Sequence, residues 1–148
     1  MSKERLSKLQ KGIIMGLYSN DHWADLRTVK KVCLKIEATS CTGNALHVTV
    51  ARSIWNLKKK GFVKVFAEVR RPVLEEAIPY LNSESRKTFK ELLVKFPSRK
   101  ILIIPIDSNS IFNIDIVALL PKGKIKAREL VIVNSRVNNK KREVRKND

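Results

Sequence analysis

The residues best suited to chemistry lie in the segment from Asn44 to Phe66. On a helix, which advances about 100° per residue, its apolar residues share one narrow face, and these are Leu46, Val50, Ile54 and Leu57. Arg52, Asn56 and Lys59 fall roughly opposite. Arg and Asn side chains can pair with base edges through two hydrogen bonds, and Lys can bind phosphate. The segment therefore combines a packing face with a face suited to nucleic acid, although an ordinary amphipathic surface helix has the same spacing.

The charge of the chain also favours a polyanionic partner. The 148 residues include 31 Lys+Arg and 14 Asp+Glu, which gives a net charge of +17. Residues 1–71 carry +10 of this charge, residues 72–135 carry +3 and residues 136–148 carry +4. Thermophilic surfaces differ, because they are enriched in Glu together with Lys. We therefore expect the first half of the chain and its last residues to bind the polyanion.

Composition excludes several classes of protein. Hydrophobic residues make up 43% of the chain, enough for a modest core and too many for a disordered basic protein. No apolar stretch approaches the roughly 18 residues that cross a bilayer, and the N-terminal residues lack a signal-peptide pattern. Two cysteines do not make a disulfide framework. We expect a cytoplasmic protein without membrane contact, or one of the host-cell cytoplasm if its source is a virus.

Periodicity predicts three helices and a strand in the first half of the chain. Asp25 is a candidate N-cap for the second helix, and Gly61 ends the third. The predicted elements are helices over residues 4–18, 26–36 and 44–60, followed by a strand over Phe62–Val69.

The second half is predicted to be richer in strands. Residues 73–81 are either a short helix or irregular, because Pro79 argues against a long helix. A turn is expected at Pro121–Lys124 and a mobile segment over the last dozen residues. The other predicted elements are a helix over Ser83–Phe96 and strands over Lys100–Ile106, Ile111–Leu120 and Ile125–Val133.

The order of helix, helix, short connection, helix, glycine and strand resembles the winged helix-turn-helix family. The resemblance is to its small, very basic transcription regulators, which are common in archaea and their viruses and plasmids. It covers roughly residues 5–70 and rests on Leu6–Tyr18 and Val50–Val63. Family positions for apolar, small, basic and glycine residues are matched by Val50, Ala51, Arg52, Ile54, Leu57, Gly61 and Phe62.

The resemblance, with the composition, implies an α+β fold in three parts. Residues 1–71 would form a winged helix-turn-helix-like DNA-binding domain. Residues 72–135 would form a helix and a small antiparallel β-sheet, a possible region for dimerisation or for a partner. Residues 136–148 would form a basic, flexible tail.

The resemblance also implies that residues 44–60 form the recognition helix, which enters the major groove. At the wing the sequence departs from the family, because Val69–Pro72 stands where a hairpin tip with Gly or Asn is expected. Two alternatives stay open: a Pro-tipped wing whose two arginines meet phosphate or the minor groove, or a wing that is absent or reshaped. The candidate DNA-binding residues are Asn44, Thr49, Arg52, Ser53, Asn56, Lys58, Lys59, Lys60, Lys64, Arg70 and Arg71.

We therefore expect a sequence-specific double-stranded DNA-binding protein that regulates transcription, with no enzymatic activity and no cofactor. A homodimer is expected because one recognition helix contacts only a few base pairs. The sequence does not identify a small-molecule effector. Two alternatives remain: a non-specific or architectural binder of DNA or RNA, and a replication-initiation or degenerate nuclease-like factor of a mobile element.

The nuclease alternative rests on a faint likeness to the strand pair of restriction-endonuclease-like nucleases. Asp115 stands at a suitable place on one predicted strand, but Asn134 and Arg136 replace the second carboxylate and the lysine. A divalent metal needs that second carboxylate, so we expect two plain strands. A zinc site is not expected, because no two of His22, Cys33, Cys41 and His47 have the close spacing of paired ligands.

Overall fold

The computed structural model describes residues 5–35 and 40–146, with backbone alone for residues 134–146. It has an α+β architecture, as predicted, with a four-stranded sheet in the order β1-β4-β2-β3. The helices of the described residues are α1 (Lys8–Ser19), α2 (Leu26–Lys35), α3 (Gly43–Lys59), α4 (Arg71–Ala77), a 3₁₀ turn (Ile78–Tyr80), α5 (Ser83–Lys95) and α6 (Pro121–Lys146). The strands are β1 (Trp23–Asp25), β2 (Val63–Arg70), β3 (Ile101–Pro105) and β4 (Ile116–Leu119).

The chain divides into two compact units. The split unit comprises the residues up to Lys64 together with those from Val117 onward, and the inserted unit comprises Val65–Ile116. These bounds differ from the predicted ones at residues 71 and 135. The difference arises because β2 continues from one unit into the other, and because α6 packs on α1.

The split unit is built around α1, which contacts α2, α3 and α6. Ser7 and Gln10 begin α1 with a capping box, in which each side chain accepts a hydrogen bond from the other residue's backbone N–H. Gly16 lets α2 approach closely, since a Cβ at this position would lie 2.7 Å from Val32 Cγ1. The buried residues of α1 include Leu9, Ile13, Ile14 and Leu17.

Two local predictions about helix ends are confirmed. Asp25 caps α2: its Oδ1 accepts a hydrogen bond from the backbone N–H of Thr28 at 2.7 Å. Hydrogen bonds from the side chain and backbone of Thr28 lower the pKa of Asp25. Gly61 follows α3 with a φ of +84°, in the left-handed region that favours glycine. The predicted end of α2 at residue 36 lies outside the described residues.

The inserted unit is organised by the antiparallel pairing of β2 with β3. The register runs from Phe66 opposite Pro105 to Arg70 opposite Ile101. Alternate residues of both strands are buried together with apolar residues of α4, the 3₁₀ turn and α5. The core of this unit includes Val65, Ala67, Val69, Leu74, Ile78, Phe89, Leu102 and Ile104.

The structure contradicts the prediction for the C-terminal part of the chain. The predicted turn at Pro121–Lys124 and strand at Ile125–Val133 are the first half of α6. Proline is tolerated in the first turn of a helix, and buried Ala127 packs this helix into the split unit. The β-branched run before residue 134 favours a strand by propensity, but tertiary packing overrides it. The tail predicted to be flexible has helical backbone as far as Lys146.

The predicted strand at Ile111–Leu120 is also shorter than expected, since only Ile116–Leu119 is paired as β4. The Pro-tipped wing is wrong, because Pro72 lies in the first turn of α4 instead of a hairpin tip. The chain leaves β2 into a helix that Pro72 can begin, since its fixed φ suits a helical N-terminus. β2 is thus followed by α4.

Candidate nucleic-acid interface

The two faces of α3 are as the spacing predicts. Four apolar residues form the packing face, and Val50, Ile54 and Leu57 are fully buried. On the other side Arg52, Asn56 and Lys59 are exposed. Because they are spaced three to four residues apart, they lie in one row along the helix axis. The exposed residues therefore form a row of hydrogen-bond donors and acceptors that the core holds in place.

Of the other predicted residues, some are exposed and some lie at the edge of the packing face. Thr49 is half-buried, and its Oγ1 donates to Cys41 Sγ at 3.9 Å. Ser53 is half-buried about 60° from Val50 around the helix. The remaining residues divide into exposed Asn44, Lys64 and Arg70 and half-buried Lys58, Lys60 and Arg71.

Lys60 takes part in contacts that fix the end of α3. Its Nζ donates to the carbonyl oxygen of Arg5 at 3.3 Å. Its own carbonyl oxygen accepts a hydrogen bond from Lys122 Nζ at 2.7 Å. Lys122 also lies over the ring of Phe62, with Nζ 4.6 Å from the centroid. Lys60 and Lys122 therefore join the ends of α3 and α6 as well as adding positive charge.

Arg71 has a structural role that the sequence prediction missed. Its guanidinium donates to the carbonyl oxygens of Phe96 at 2.8 Å and Leu93 at 3.0 Å, which lie at the C-terminal end of α5. Its Nε donates to Glu75 Oε1 at 3.0 Å. A cation at this end of a helix donates hydrogen bonds to the last carbonyl oxygens, which have no partner within the helix, and it interacts favourably with the helix dipole. Because these partners occupy most of its donors, Arg71 is less available for DNA contact than exposed Arg70.

Two apolar residues on the outer face of α3 were not singled out by the sequence analysis. Val48 is 51% exposed, and Ala45 is exposed beside it. With Arg52, Asn56 and Lys59 they continue one helical row in steps of three and four residues. Small apolar side chains contact the methyl group of thymine in the major groove. The spacing of the row could have identified both residues, but apolar type suggested packing.

The positive charge is concentrated in the unit that contains α3. Residues 65–116 contain 8 Lys+Arg and 7 Asp+Glu, so this inserted unit carries only +1 of the total +17. The split unit, with the remaining 23 Lys+Arg and 7 Asp+Glu, carries +16. It includes exposed or half-buried Lys124, Lys126 and Arg128 on α6. Compared with the two segments predicted from the sequence, the part of the chain that could attract phosphate therefore excludes residues 65–71 and includes residues 117–135.

The structure gives no basis for the strand pair of the nuclease alternative. Asn134 and Arg136 lie in α6 instead of a strand, and Asp115 Oδ2 accepts a hydrogen bond from the backbone N–H of Glu68 at 2.7 Å. Among the described side chains, those of residues 5–35 and 40–133, no three His, Cys, Asp or Glu are grouped so that they could hold a metal ion. Burial raises the pKa of the Cys33 thiol to about 11 and so disfavours the thiolate.

Comparison with known proteins finds no match: no family model, curated protein or solved structure is similar to this chain. Within the described residues, no helix combines the length and the hydropathy needed to span a bilayer. The surface of α3 and the distribution of charge are therefore the features that bear on function.

Proposed function

We propose that this protein binds double-stranded DNA sequence-specifically and regulates transcription, with α3 lying in the major groove. The observation that carries the proposal is the outer row of α3, where Arg52, Asn56 and Lys59 are exposed opposite a fully buried face. The major groove admits one α-helix and offers a distinct hydrogen-bond pattern for each base pair. Arg52 suits guanine and Asn56 suits adenine, while Val48 and Ala45 suit thymine methyl groups.

The succession of α1, β1, α2, α3, Gly61 and β2 supports membership of the winged helix-turn-helix family. In this proposal the inserted unit replaces the short wing hairpin. The recognition helix of the helix-turn-helix class inserts its exposed side chains into the groove while neighbouring elements contact the backbone. We expect Asn44 and Lys64, which are exposed at either end of this segment, to contact phosphates.

Most of the affinity comes from charge, and most of the discrimination comes from the row on α3. The split unit carries +16, and each Lys or Arg that neutralises a phosphate releases condensed counterions. This contribution is the same for every sequence. Only the contacts of Arg52, Asn56 and the apolar residues beside them differ from site to site. The protein acts as a homodimer, because two recognition helices double the length of the DNA site. Its place of action is the cytoplasm.

A matched pair of substitutions tests this division of roles. Binding sites are first selected from a random duplex pool, and affinities for the selected site and a random duplex are measured at physiological salt. Arg52→Lys keeps the charge but loses the bidentate geometry, so we expect the ratio of the two affinities to fall roughly tenfold or more. Lys59→Ala should lower the affinity for both duplexes by the same factor.

The second candidate function, a non-specific nucleic-acid binder, is favoured by the high charge of the split unit. The same experiment separates the two functions. If random duplex or RNA competes as well as the selected site, sequence-specific binding is refuted. If Arg52→Lys keeps full discrimination, the assignment of base contacts to Arg52 on α3 is wrong.

A further inference from the structure

We propose that two copies of this chain associate through the free edge of β3, which pairs antiparallel with its counterpart. The inference deepens the proposed function by naming the surface of the homodimer. β3 is the last strand in the sheet order β1-β4-β2-β3, so one of its edges has no neighbouring strand within the described part of the chain. A free edge presents a row of main-chain donors and acceptors that can template another strand.

Hydrogen bonds on the paired side show which residues face the free edge. The N–H of Ile106 donates to the carbonyl oxygen of Val65 at 3.0 Å, and the N–H of Arg71 donates to that of Lys100 at 2.7 Å. Even-numbered residues of β3 therefore bond to β2, because bonding alternates along an antiparallel strand. The main-chain groups of Ile101, Ile103 and Pro105 point away from β2 and find no partner among the described residues.

The side chains of this edge carry little of the usual protection against pairing, which is limited to Pro105 at its end. Ile101 is 51% exposed and Ile103 is 47% exposed, on the face opposite the buried Leu102 and Ile104. Natural edges carry charges, especially Lys, or bulges that prevent another strand from adding. The strand Ile101–Pro105 contains no charged residue. Pro105 removes one donor at its end, and the N–H groups of both isoleucines remain.

Charge favours a second copy as the occupant of this edge. The inserted unit carries only +1, so a contact between two inserted units brings together almost no net charge, whereas a contact between two split units would bring +16 against +16. If the strands pair with Ile103 opposite Ile103, Arg99, which precedes β3 in one copy, comes close to Asp107, which follows β3 in the other. Opposite charges across strands stabilise the pair. The two-fold axis then passes through Ile103.

The exposed apolar residues of α6 are the competing surface. Ile125, Ile132 and Val133 are more than half exposed, but the same half of the helix contains Lys122, Lys124, Lys126 and Arg128 against Glu129 alone. Pairing two such helices would bring like charges together. In the proposed function these cations bind DNA phosphates. The uncharged edge of β3 is therefore the more favourable contact between copies.

Sedimentation of the full-length protein without DNA tests the proposal. We expect the wild-type chain to dimerise with a dissociation constant below about 100 µM. Ile103→Lys should raise this constant at least about tenfold. Val94→Lys and Ile132→Lys, which place the same charge on exposed residues of α5 and α6, should leave it unchanged. Circular dichroism confirms that each variant is folded. A monomeric wild-type chain, an unaffected Ile103→Lys dimer or a dimer lost in Ile132→Lys would each refute the proposal.

Cysteine cross-linking provides the second measurement. Hydrogen-bonded residues opposite each other have Cα atoms about 5.5 Å apart, which a disulfide can bridge. Ile103→Cys should therefore oxidise to a covalent dimer well beyond the wild-type background from Cys33 and Cys41, whereas Val94→Cys should not. Equal cross-linking of both variants would contradict the register. Because no DNA is present, failure here leaves the role of α3 intact, and Arg52→Lys should dimerise normally even if that role is wrong.

Discussion

Arg70 and Arg71 are adjacent in the sequence but have different environments. The side chain of Arg70 is exposed at the end of β2. The guanidinium of Arg71 instead binds the carbonyl oxygens that end α5 and the carboxylate of Glu75. Two residues that a sequence presents as one basic pair thus have separate roles, one open to a ligand and one structural.

Alanine at each position should distinguish these roles. Arg71→Ala leaves the carbonyl oxygens of Leu93 and Phe96 without their charged donor, and hydrogen bonds to charged groups are worth about 1.5–3 kcal/mol. We expect the free energy of unfolding, measured by urea denaturation, to fall by about 2 kcal/mol. Arg70→Ala, the control, should change it by less than about 0.5 kcal/mol. Equal effects of the two substitutions would contradict the assignment.

Sequence reasoning succeeded at this scale where a role follows from local spacing. Arg52, Asn56 and Lys59 are exposed as predicted because their position around α3 is set by the helix period alone. The role of Arg71 could not be predicted, because its carbonyl partners lie 22 and 25 residues further along the chain. Only the folded inserted unit brings them together.

At the scale of elements, α6 shows how a single glycine positions a helix. A Cβ at Gly123 would overlap the carbonyl oxygen of Phe62 and lie 2.9 Å from Leu119 Cδ2. The N–H of Leu120 donates to that same carbonyl oxygen at 2.9 Å. The first turn of α6 therefore rests directly on the backbone that follows α3. This packing holds the start of a basic helix beside the end of the proposed recognition helix.

Alanine at the two close-packed glycines should show the difference between backbone and side-chain neighbours. Gly123→Ala meets a main-chain oxygen that cannot move aside, so we expect a loss of about 1–3 kcal/mol in unfolding free energy. Gly16→Ala meets only the side chain of Val32, and adding Val32→Ala should relieve that contact. Thermal denaturation measures both. If Gly123→Ala is as stable as the wild-type protein, the close packing of α6 is wrong.

The elements that sequence predicted well are those with clear period and end signals. α3 and β2 differ from prediction by a residue at each end, and Gly61 separates them as expected. The failure at Ile125–Val133 has a physical cause: a β-branched run favours a strand locally, whereas Ala127 at helical spacing packs against the split unit. The short strand β1 was missed because three residues carry no period.

At the scale of the whole molecule, charge separates the two units. Nearly all of the +17 belongs to the split unit, and the inserted unit is almost neutral. The contrast is not visible in the predicted segments, because the segment 72–135 combines residues of the inserted unit with residues of the split unit, which resumes at Val117. The units thus fit two different proposed partners, DNA for the charged one and a second copy for the neutral one.

Removing equal charge from each unit tests this separation. Lys140, Lys141 and Arg142 near the end of α6 are changed together to Gln in one variant, and Lys87, Lys90 and Lys95 of α5 in the other. The first variant should weaken binding to selected and random duplexes alike, since phosphate binding is independent of sequence. It should also flatten the plot of log affinity against log salt by up to about 2.7, or about 0.9 for each phosphate that the protein no longer neutralises. The α5 variant should keep the wild-type slope. A change of preferred site in the first variant, or an equal decrease of slope in both, would mean that charge and discrimination are not divided as we propose.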